Sequence, residues 1–236
     1  MPDIDSSAKR RMLGSSFVFS SLPDELLEEL AGVCRLRKVE RQAFVFHMGD
    51  EGDALFGVVQ GLIRIWVPGT RGRELTLTLM EPGDIFGEIA LLDGLERTAN
   101  ATAVVDSTLL VLDRSVFLKV LEREPSLSRH IIELLCEKLR GETTRIAEDA
   151  FFDLRVRLAK RLFSLLIGYG EAAQEGGELM LKMSQEELGN MLGVSREAIN
   201  KQLSVWVRGG LIAVKHGKIT LLDREGLKKE AAPSLE

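Results

Sequence analysis

The sequence predicts an α+β chain in three parts: an antiparallel β unit, one long helix, and an α-rich C-terminal unit with a winged helix-turn-helix pattern. Three observations carry this. Between residues 33 and 113 the apolar period is that of short strands punctuated by glycine. From 126 to 150 it turns helical without a break, and from 184 to 222 a cap, a glycine turn, a second cap and a hairpin follow one another. A chain of 236 residues has room for one or two domains. With 45% hydrophobic and 28% charged residues it has globular composition, which excludes wholesale disorder and a fibrous repeat.

Residues 1–16 carry Lys9, Arg10 and Arg11 with no apolar stretch behind them, so they read as a loose tail and not as a secretory signal. A helical pattern runs from Phe17 to Gly32: Ser21 or Pro23 opens it, Asp24, Glu25, Glu28 and Glu29 favour its early turns, and Leu22, Leu26, Leu27 and Leu30 form its stripe. The β runs are Phe44 with Phe46, residues 62–67, 75–79 and 108–112. Gly49, Gly52, Gly57, Gly61, Gly72 and Pro82-Gly83 separate them, as in an antiparallel sandwich, roll or barrel. A short helix from Ser115 to Arg123 ends before Pro125 and closes a domain spanning 17–125.

In the helix at 126–150, Leu127, Ile131, Leu135, Leu139 and Ile146 recur at near-helical intervals. A stripe of that length is buried most economically against its own copy, which implies a homodimer. Glu142 and Thr143 interrupt it, as a register device or a ligand contact. Residues 151–228 then form the C-terminal domain, with 229–236 as a tail. Its first helix carries Leu154, Leu158, Leu162, Leu165 and Leu166, and a Gly/Glu-rich loop follows at 168–178.

Ser184 with Glu187 is a capping box, Gly189 permits a close helix crossing, Gly193 suits a left-handed turn, and Ser195 caps a second helix. Leu188, Leu192, Val194, Ile199 and Leu203 supply the contacts between the two helices, and Leu211–Leu222 is a hairpin turning at His216-Gly217. The chain as a whole is acidic, at −5, but the charge is split: residues 1–150 hold 18 Lys+Arg against 25 Asp+Glu, and residues 151–236 hold 13 against 11. Between Gly193 and Lys218 five basic residues face one acid, the local footprint of a phosphate-binding surface. Arg196 is placed for guanine O6/N7 and Glu197 for cytosine N4. Lys201 can reach a base or a phosphate, and Lys215 and Lys218 phosphates. A basic protein-interaction module is the alternative.

Two cysteines, Cys34 and Cys136, lie far apart in apolar segments, which excludes a disulfide scaffold, a CxxC metal site and an iron–sulfur cluster with cysteine ligands. His47, His130 and His216 are isolated from one another, so neither a metal centre nor haem ligation emerges, and no constellation points to an enzyme. No run approaches the roughly 20 apolar residues of a membrane span. A cytoplasmic protein with no membrane partner is expected.

One cluster remains: Gly87-Glu88-Ile89-Ala90, then Arg97-Thr98-Ala99. A glycine after a strand, a turn of backbone N–H groups and a nearby arginine make a cradle for a phosphate diester, with Glu88 able to accept from a ribose hydroxyl. A Glu88–Arg97 surface salt bridge is the plainer reading. Together with the order of strands, long helix and winged helix-turn-helix, this cluster resembles the phosphate-binding cassette of the cAMP receptor protein and fumarate–nitrate regulator superfamily of bacterial transcription factors, over about residues 17–224. The resemblance makes the β unit a β-roll that binds a cyclic nucleotide. It implies that Glu88 takes the ribose 2′-OH, Arg97 and Thr98 the cyclic phosphate, Gly87, Ile89 and Ala90 the rest of the cradle, and Glu142 and Thr143 the base. It further implies Ser195, Arg196, Glu197 and Lys201 at the DNA bases, a TGT-type inverted repeat, a hinge at residues 151–153, and RNA polymerase as a partner. The superfamily's cAMP-binding branch carries Thr then Ser where this chain has Glu142 and Thr143. The frequency of cAMP in the family makes it the leading ligand, and a carboxylate pairs well with the N1–H and N2–H₂ of guanine, so cGMP is the alternative. A nucleotide-binding interaction module without DNA contact is the alternative from another class.

Overall fold

The computed structural model describes residues 6–16, 18–20, 22–169, 171–172 and 179–232. It opens with α1 (Ser6–Ser15) and α2 (Asp24–Val33), followed by β1 (Arg35–Val39), β2 (Phe44–Phe46), β3 (Ala54–Gln60), β4 (Ile63–Pro68) and β5 (Glu74–Met80). Next come β6 (Ile85–Phe86), α3 (Glu88–Asp93), β7 (Asn100–Ala103), β8 (Ser107–Asp113), α4 (Arg114–Arg123) and the long α5 (Pro125–Phe151). The C-terminal elements are α6 (Leu154–Tyr169), β9 (Glu171–Ala172), β10 (Leu179–Lys182), α7 (Gln185–Leu192), α8 (Arg196–Arg208), β11 (Ile212–Lys215), β12 (Lys218–Leu221) and α9 (Arg224–Glu230). The contacts divide the chain into two units: the residues up to Val67 with Leu77–Arg140, and Pro68–Thr76 with the residues from Gly141 onward.

Period-two alternation builds the first unit. One sheet runs β1-β8-β3-β6 and another β2-β7-β4-β5, and the pairs β1/β8, β3/β8 and β4/β7 are antiparallel. Along β3 and β8 the side chains divide: Phe56, Val58, Leu109 and Val111 enter one buried cluster with Ile63, Ala101 and Ala103, while Leu55, Leu110 and Leu112 enter another with the helices. This is the strand geometry of successive side chains on opposite faces, with a core on each side. The sequence reading missed β1, β3 and β7. The first is an edge strand of charged residues (RLRKV), the second is apolar on both faces, and the third is alanine-rich and weak in β propensity.

The expected loose tail is corrected: residues 6–15 are helical, with Leu13 buried at 3% exposure. Met12 and Leu13 pack on the helix-covered cluster, and Lys9 Nζ donates to Cys34 O at 2.7 Å. A Cβ on Gly57 would come 2.7 Å from Met12 Cε, the flexible end of a side chain that reaches over this strand. The arginines at 10 and 11 hid an amphipathic element, whose apolar side is only Met12 and Leu13. The helix expected from Phe17 begins instead at Asp24, after Pro23; Phe17 and Ser21 lie outside the described residues.

In the C-terminal unit α6 buries Val156, Leu158, Ala159, Leu162, Leu165 and Leu166. The tail expected from 229 is also corrected. α9 continues to Glu230, whose Oε2 accepts from Arg155 Nη1 at 3.2 Å and from Trp206 Nε1 at 3.0 Å, and Leu227 is fully buried. Most of the loop expected at 168–178 lies outside the described residues, although Glu171 and Ala172 pair with β10. At the α5–α6 junction Asp153 Oδ1 accepts from Val156 N at 2.9 Å, Glu148 pairs with Lys160 at 2.7 Å and Asp149 with Arg157 at 2.5 Å.

Truncating Leu13 tests whether α1 belongs to the folded unit. Leu13→Ala is expected to lower the unfolding free energy by about 2 to 4 kcal/mol, as for a buried leucine. Denaturant unfolding that stayed within about 0.5 kcal/mol of wild type would mark the segment as a tail after all.

Candidate functional site

In the first unit the chain leaves β6 through Gly87 at φ 84°, and this left-handed residue turns the backbone into α3, which Gly94 ends at φ 73°. A side chain at 87 would be strained by that φ and would also bring a Cβ to 2.8 Å from Arg97 Nη1. The position requires glycine twice over. Glu88 follows as the first residue of α3 and is buried at 3% exposure; Ala90 is buried, Ile89 exposed. The first-turn N–H groups of α3 are the unpaired donors that every helix start presents.

Arg97 is buried at 3% exposure. Its Nη1 donates to Gly87 O at 2.8 Å and its Nη2 to Ala54 O at 2.7 Å, while Asp53 Oδ1 stands 3.5 Å away. The guanidinium lies over Phe46, 4.5 Å from the ring centroid, and 5.5 Å from that of Phe56. Burial lowers its pKa, and the charges of Asp53, Asp50 and Glu88 work the other way. Its Nε is buried and has no hydrogen-bond partner among the described residues. A buried cation with an orphan donor beside a helix start is what a phosphate-bearing ligand would satisfy, so the residues present fit the nucleotide that the resemblance implies. Thr98 is exposed at the mouth of a cleft that Arg97 also lines, where Glu51, Asp53, Asp93 and Glu96 form an acidic rim.

No Glu88–Arg97 ion pair is among those formed by the described residues; Glu88 has another partner, one the sequence reading missed. Lys138 Nζ of α5 donates to Glu88 Oε1 at 2.6 Å. The signal was present in the spacing, because Leu127, Ile131, Leu135 and Lys138 follow a helical period and the last is the charged member of the inward face. The stripe read from sequence divides accordingly: Leu127 and Ile131 are buried in the first unit, whereas Leu139 and Ile146 are 67% and 68% exposed. Glu142 and Thr143 lie on the part of α5 that groups with the second unit, and they too are exposed. His47 stacks on Phe44, and His130 Nδ1 contacts Ser126 O. Among the described residues no cluster of His, Cys, Asp or Glu could hold a metal, and no helix is long and apolar enough to cross a membrane.

The second unit forms the helix-turn-helix. Ser184 and Glu187 make the reciprocal capping box: Glu187 N donates to Ser184 Oγ at 3.1 Å and Ser184 N to Glu187 Oε2 at 2.7 Å. A Cβ on Gly189 would be 2.8 Å from Val194 O, which sets the close crossing, and Gly193 takes φ 66° at the turn. Ser195 Oγ accepts from Ala198 N at the start of α8. Leu188, Ile199 and Leu203 are buried as expected, and Trp206 and Met191, which the sequence reading left out, join them. Beyond α8, β11 and β12 pair antiparallel around His216 (φ 51°) and Gly217 (φ 74°), the two positive φ values of a type I′ hairpin.

Arg196, Glu197, Lys201, Arg208, Lys215 and Lys218 are all exposed, as a reading helix and wing require. Hydrogen bonds from its own backbone N–H and from Ser195 hold the Glu197 carboxyl below the usual carboxylate range, helped by Arg196. It is therefore an acceptor already oriented at the helix start.

Comparison with known proteins matches residues 36–124 to the cyclic nucleotide-binding domain and residues 156–230 to the Crp-like helix-turn-helix domain. A CRP-like cAMP-activated global transcriptional regulator of Mycobacterium tuberculosis is 32% identical over 189 residues, 79% of this chain and 84% of that protein. The cyclic AMP receptor protein of Thermus thermophilus is 32% identical over 187 residues, 79% of this chain and 83% of that one. Among solved structures, a CRP/FNR-family transcriptional regulator from Thermus thermophilus superposes with TM-score 0.71 at 32% identity, covering 84% of this chain and 98% of that one. These domains and relatives are those of regulators and not of enzymes. With its cassette, its long helix and its winged helix-turn-helix, the chain belongs to the CRP/FNR superfamily of transcription factors.

Proposed function

We propose that the protein is a homodimeric cytoplasmic regulator in which cAMP binding at the β-roll switches affinity for an inverted-repeat DNA site. The observation that carries this reading is buried Arg97 with its orphan Nε, set beside left-handed Gly87 and buried Glu88. A cyclic phosphate carries one negative charge, which Arg97 neutralises while backbone groups of Gly87, Ile89 and Ala90 and the hydroxyl of Thr98 complete its hydrogen bonds. Lys138 occupies Oε1 of Glu88, leaving Oε2 to accept from the ribose 2′-OH. Relatives whose own descriptions name cAMP support that ligand over others. cGMP is the second reading, favoured by the exposed carboxylate of Glu142, which suits guanine N1–H and N2–H₂.

In this mechanism the base reaches Glu142 and Thr143, and α5 helices from two protomers associate through Leu139 and Ile146. The junction at residues 151–153 then sets the two copies of α8 about 34 Å apart, in successive major grooves. Ligand must bind the DNA-competent state more tightly than the other, or nothing is switched. Arg196 and Glu197 read a TGT-type half-site, Lys215 and Lys218 hold phosphates, and RNA polymerase is the downstream partner.

Calorimetry with cAMP and with cGMP is the first test. Wild type is expected to bind cAMP, and Arg97→Ala to bind about 100-fold more weakly through loss of a charge-assisted pair. Undiminished binding by that variant would overturn the cradle, and loss of cGMP affinity alone in Glu142→Ala would assign that residue to guanine. Sedimentation tests the dimer: the double variant Leu139→Glu with Ile146→Glu is expected to be monomeric where wild type is dimeric, because like charges replace the apolar seam. Mobility shift tests the reading helix. Arg196→Ala is expected to bind a selected operator about 10- to 100-fold more weakly, whereas equal affinity would favour an interaction module without DNA contact.

A further inference from the structure

The N-terminal helix reaches the phosphate cradle through one side chain. β6 is two residues long, and its side chains part: Phe86 enters the cluster around Arg97, stacked on Phe56 with ring centroids 5.4 Å apart, while Ile85 packs on the helix-covered cluster. Backbone bonds to β3, among them Val58 N to Asp84 O at 3.0 Å, hold one edge of this strand. β6 is the last strand of its sheet, so its other edge has no ladder and its side chains must hold the rest. Directly after it comes Gly87, whose carbonyl takes the Arg97 guanidinium and whose left-handed φ starts α3.

α1 covers Ile85. Met12, Leu13, Phe19, Gly57 and Ile85 line one small apolar cavity, and Met12 reaches over the Gly57–Ile85 pair, where its Cε would stand 2.7 Å from a Cβ on Gly57. Leu91 of α3, on the far side of the Gly87 turn, lies in the same cluster as Leu13. The core on which α1 packs therefore grips that turn from both ends, by Ile85 before it and Leu91 after it. The helix itself is lightly held. Its apolar side is Met12 and Leu13, and its polar ties are Lys9 Nζ to Cys34 O and an exposed Arg10–Asp24 pair at 3.1 Å. An exposed pair contributes about 0 to 1 kcal/mol, and an element with so few buried groups opens at the low end of the free-energy range for local unfolding. It also precedes residues 36–124, the part that matches the cyclic nucleotide-binding domain.

We propose that α1 is a positioning element of the nucleotide site, with Met12 and Leu13 acting through Ile85 to hold the Gly87 turn in its binding geometry. The inference rests on the cyclic-nucleotide reading of the cradle. With α1 seated, the Gly87 turn and the first-turn N–H groups of α3 are already ordered when the ligand arrives. With α1 lifted, Ile85 loses its cover and a fraction of the molecules keeps that geometry, so apparent affinity falls by that fraction. Linkage makes the effect reciprocal: ligand holds α1 down by the same factor by which α1 strengthens ligand binding.

Two measurements on the full-length protein test this, with cAMP as the probe, or cGMP where that binds instead. In calorimetry Met12→Ala is expected to bind about tenfold more weakly than wild type, and Met12→Leu, which restores the apolar volume, to bind as wild type does. Limited trypsin digestion of wild type needs no substitution. Lys9, Arg10 and Arg11 lie on α1, and Lys119 of α4, in the same unit, reports opening of that unit as a whole. Cleavage at α1 is expected to be faster than at Lys119, and to be slowed about tenfold by saturating nucleotide. Met12→Ala binding within about twofold of wild type, α1 cleaved no faster than Lys119, or α1 slowed by less than about twofold would each overturn the proposal while leaving the cradle intact. Failure of wild type to bind either nucleotide would overturn the reading of the cradle, and this inference with it.

Discussion

The sensor unit depends on one buried cation. Taking the Arg97 guanidinium out of water costs several kcal/mol, which only good geometry offsets. The protein offsets part of it with two backbone carbonyls, Gly87 O and Ala54 O, and with the faces of Phe46 and Phe56. Those partners come from β2, β3 and the β6–α3 turn, so a single side chain fixes three segments relative to one another. Its backbone does the same, since Arg97 N donates to Asp50 O at 2.8 Å and Gly49 N to Arg97 O at 2.9 Å. The unpaired Nε is the part left uncompensated. A ligand that satisfied it would gain binding free energy from a group already in place and already desolvated, which is why a buried arginine makes a better anion site than a mobile surface one.

The second constraint is continuity of α5. Its 27 residues span about 40 Å at 1.5 Å per residue. Its first half is tied into the sensor by Leu127, Ile131 and the Lys138–Glu88 pair, while its last turns carry Glu148 and Asp149, which pair with Lys160 and Arg157 of α6. Glu88 is thus the point where the cassette and the long helix meet within the first unit. A ribose hydroxyl at that carboxylate would share it with a residue of α5. In the proposed mechanism this is where a differential interaction, as any switch by ligand requires, would reach the helix.

How much of this was legible depended on whether the signal was local. The capping box at Ser184–Glu187, the Ser195 cap, Gly193 and the His216-Gly217 turn are each set by neighbours within a few residues, and the structure places all of them as read. The cassette was legible for the same reason, with Gly87 and Glu88 adjacent and Arg97 ten residues on. What was not legible depended on distant partners. Lys138 lies 50 residues from Glu88, and Gln185 lies 15 from Asn200, whose side chain it bonds, so the sequence pattern shows at most which face each residue takes and not its partner. The helix α1 was hidden by composition, because three basic residues precede an apolar side only two residues wide. The stripe on α5 was read correctly as apolar but as one face; it is two, because the buried period passes through Lys138 and the exposed one through Leu139.

The net charge of −5, taken for the chain as a whole, argues against binding a polyanion, and the uneven placing of that charge along the chain resolves the conflict. At physiological ionic strength the screening length is about 8 Å, so an acidic residue more than a few such lengths from a phosphate contributes little to the potential there. On the proposed reading, what the DNA backbone meets is set by the exposed Arg196, Lys201, Arg208, Lys215 and Lys218, with Glu197 the one acid in that stretch. Each neutralised phosphate releases condensed counterions, so affinity scales with this local count and falls steeply with salt, whatever the rest of the chain carries. The acidity of the sensor half then has a separate consequence. The cleft at Arg97 is lined by Glu51, Asp53, Asp93, Glu96 and Asp113 against Arg97 and Arg114, a balance that disfavours a polyanion at its mouth. A small monoanion meets far less of that repulsion than a nucleic acid. The sign difference between the halves thus matches the two ligands of the proposed function: a single buried positive charge for a nucleotide, and an exposed set of five for DNA.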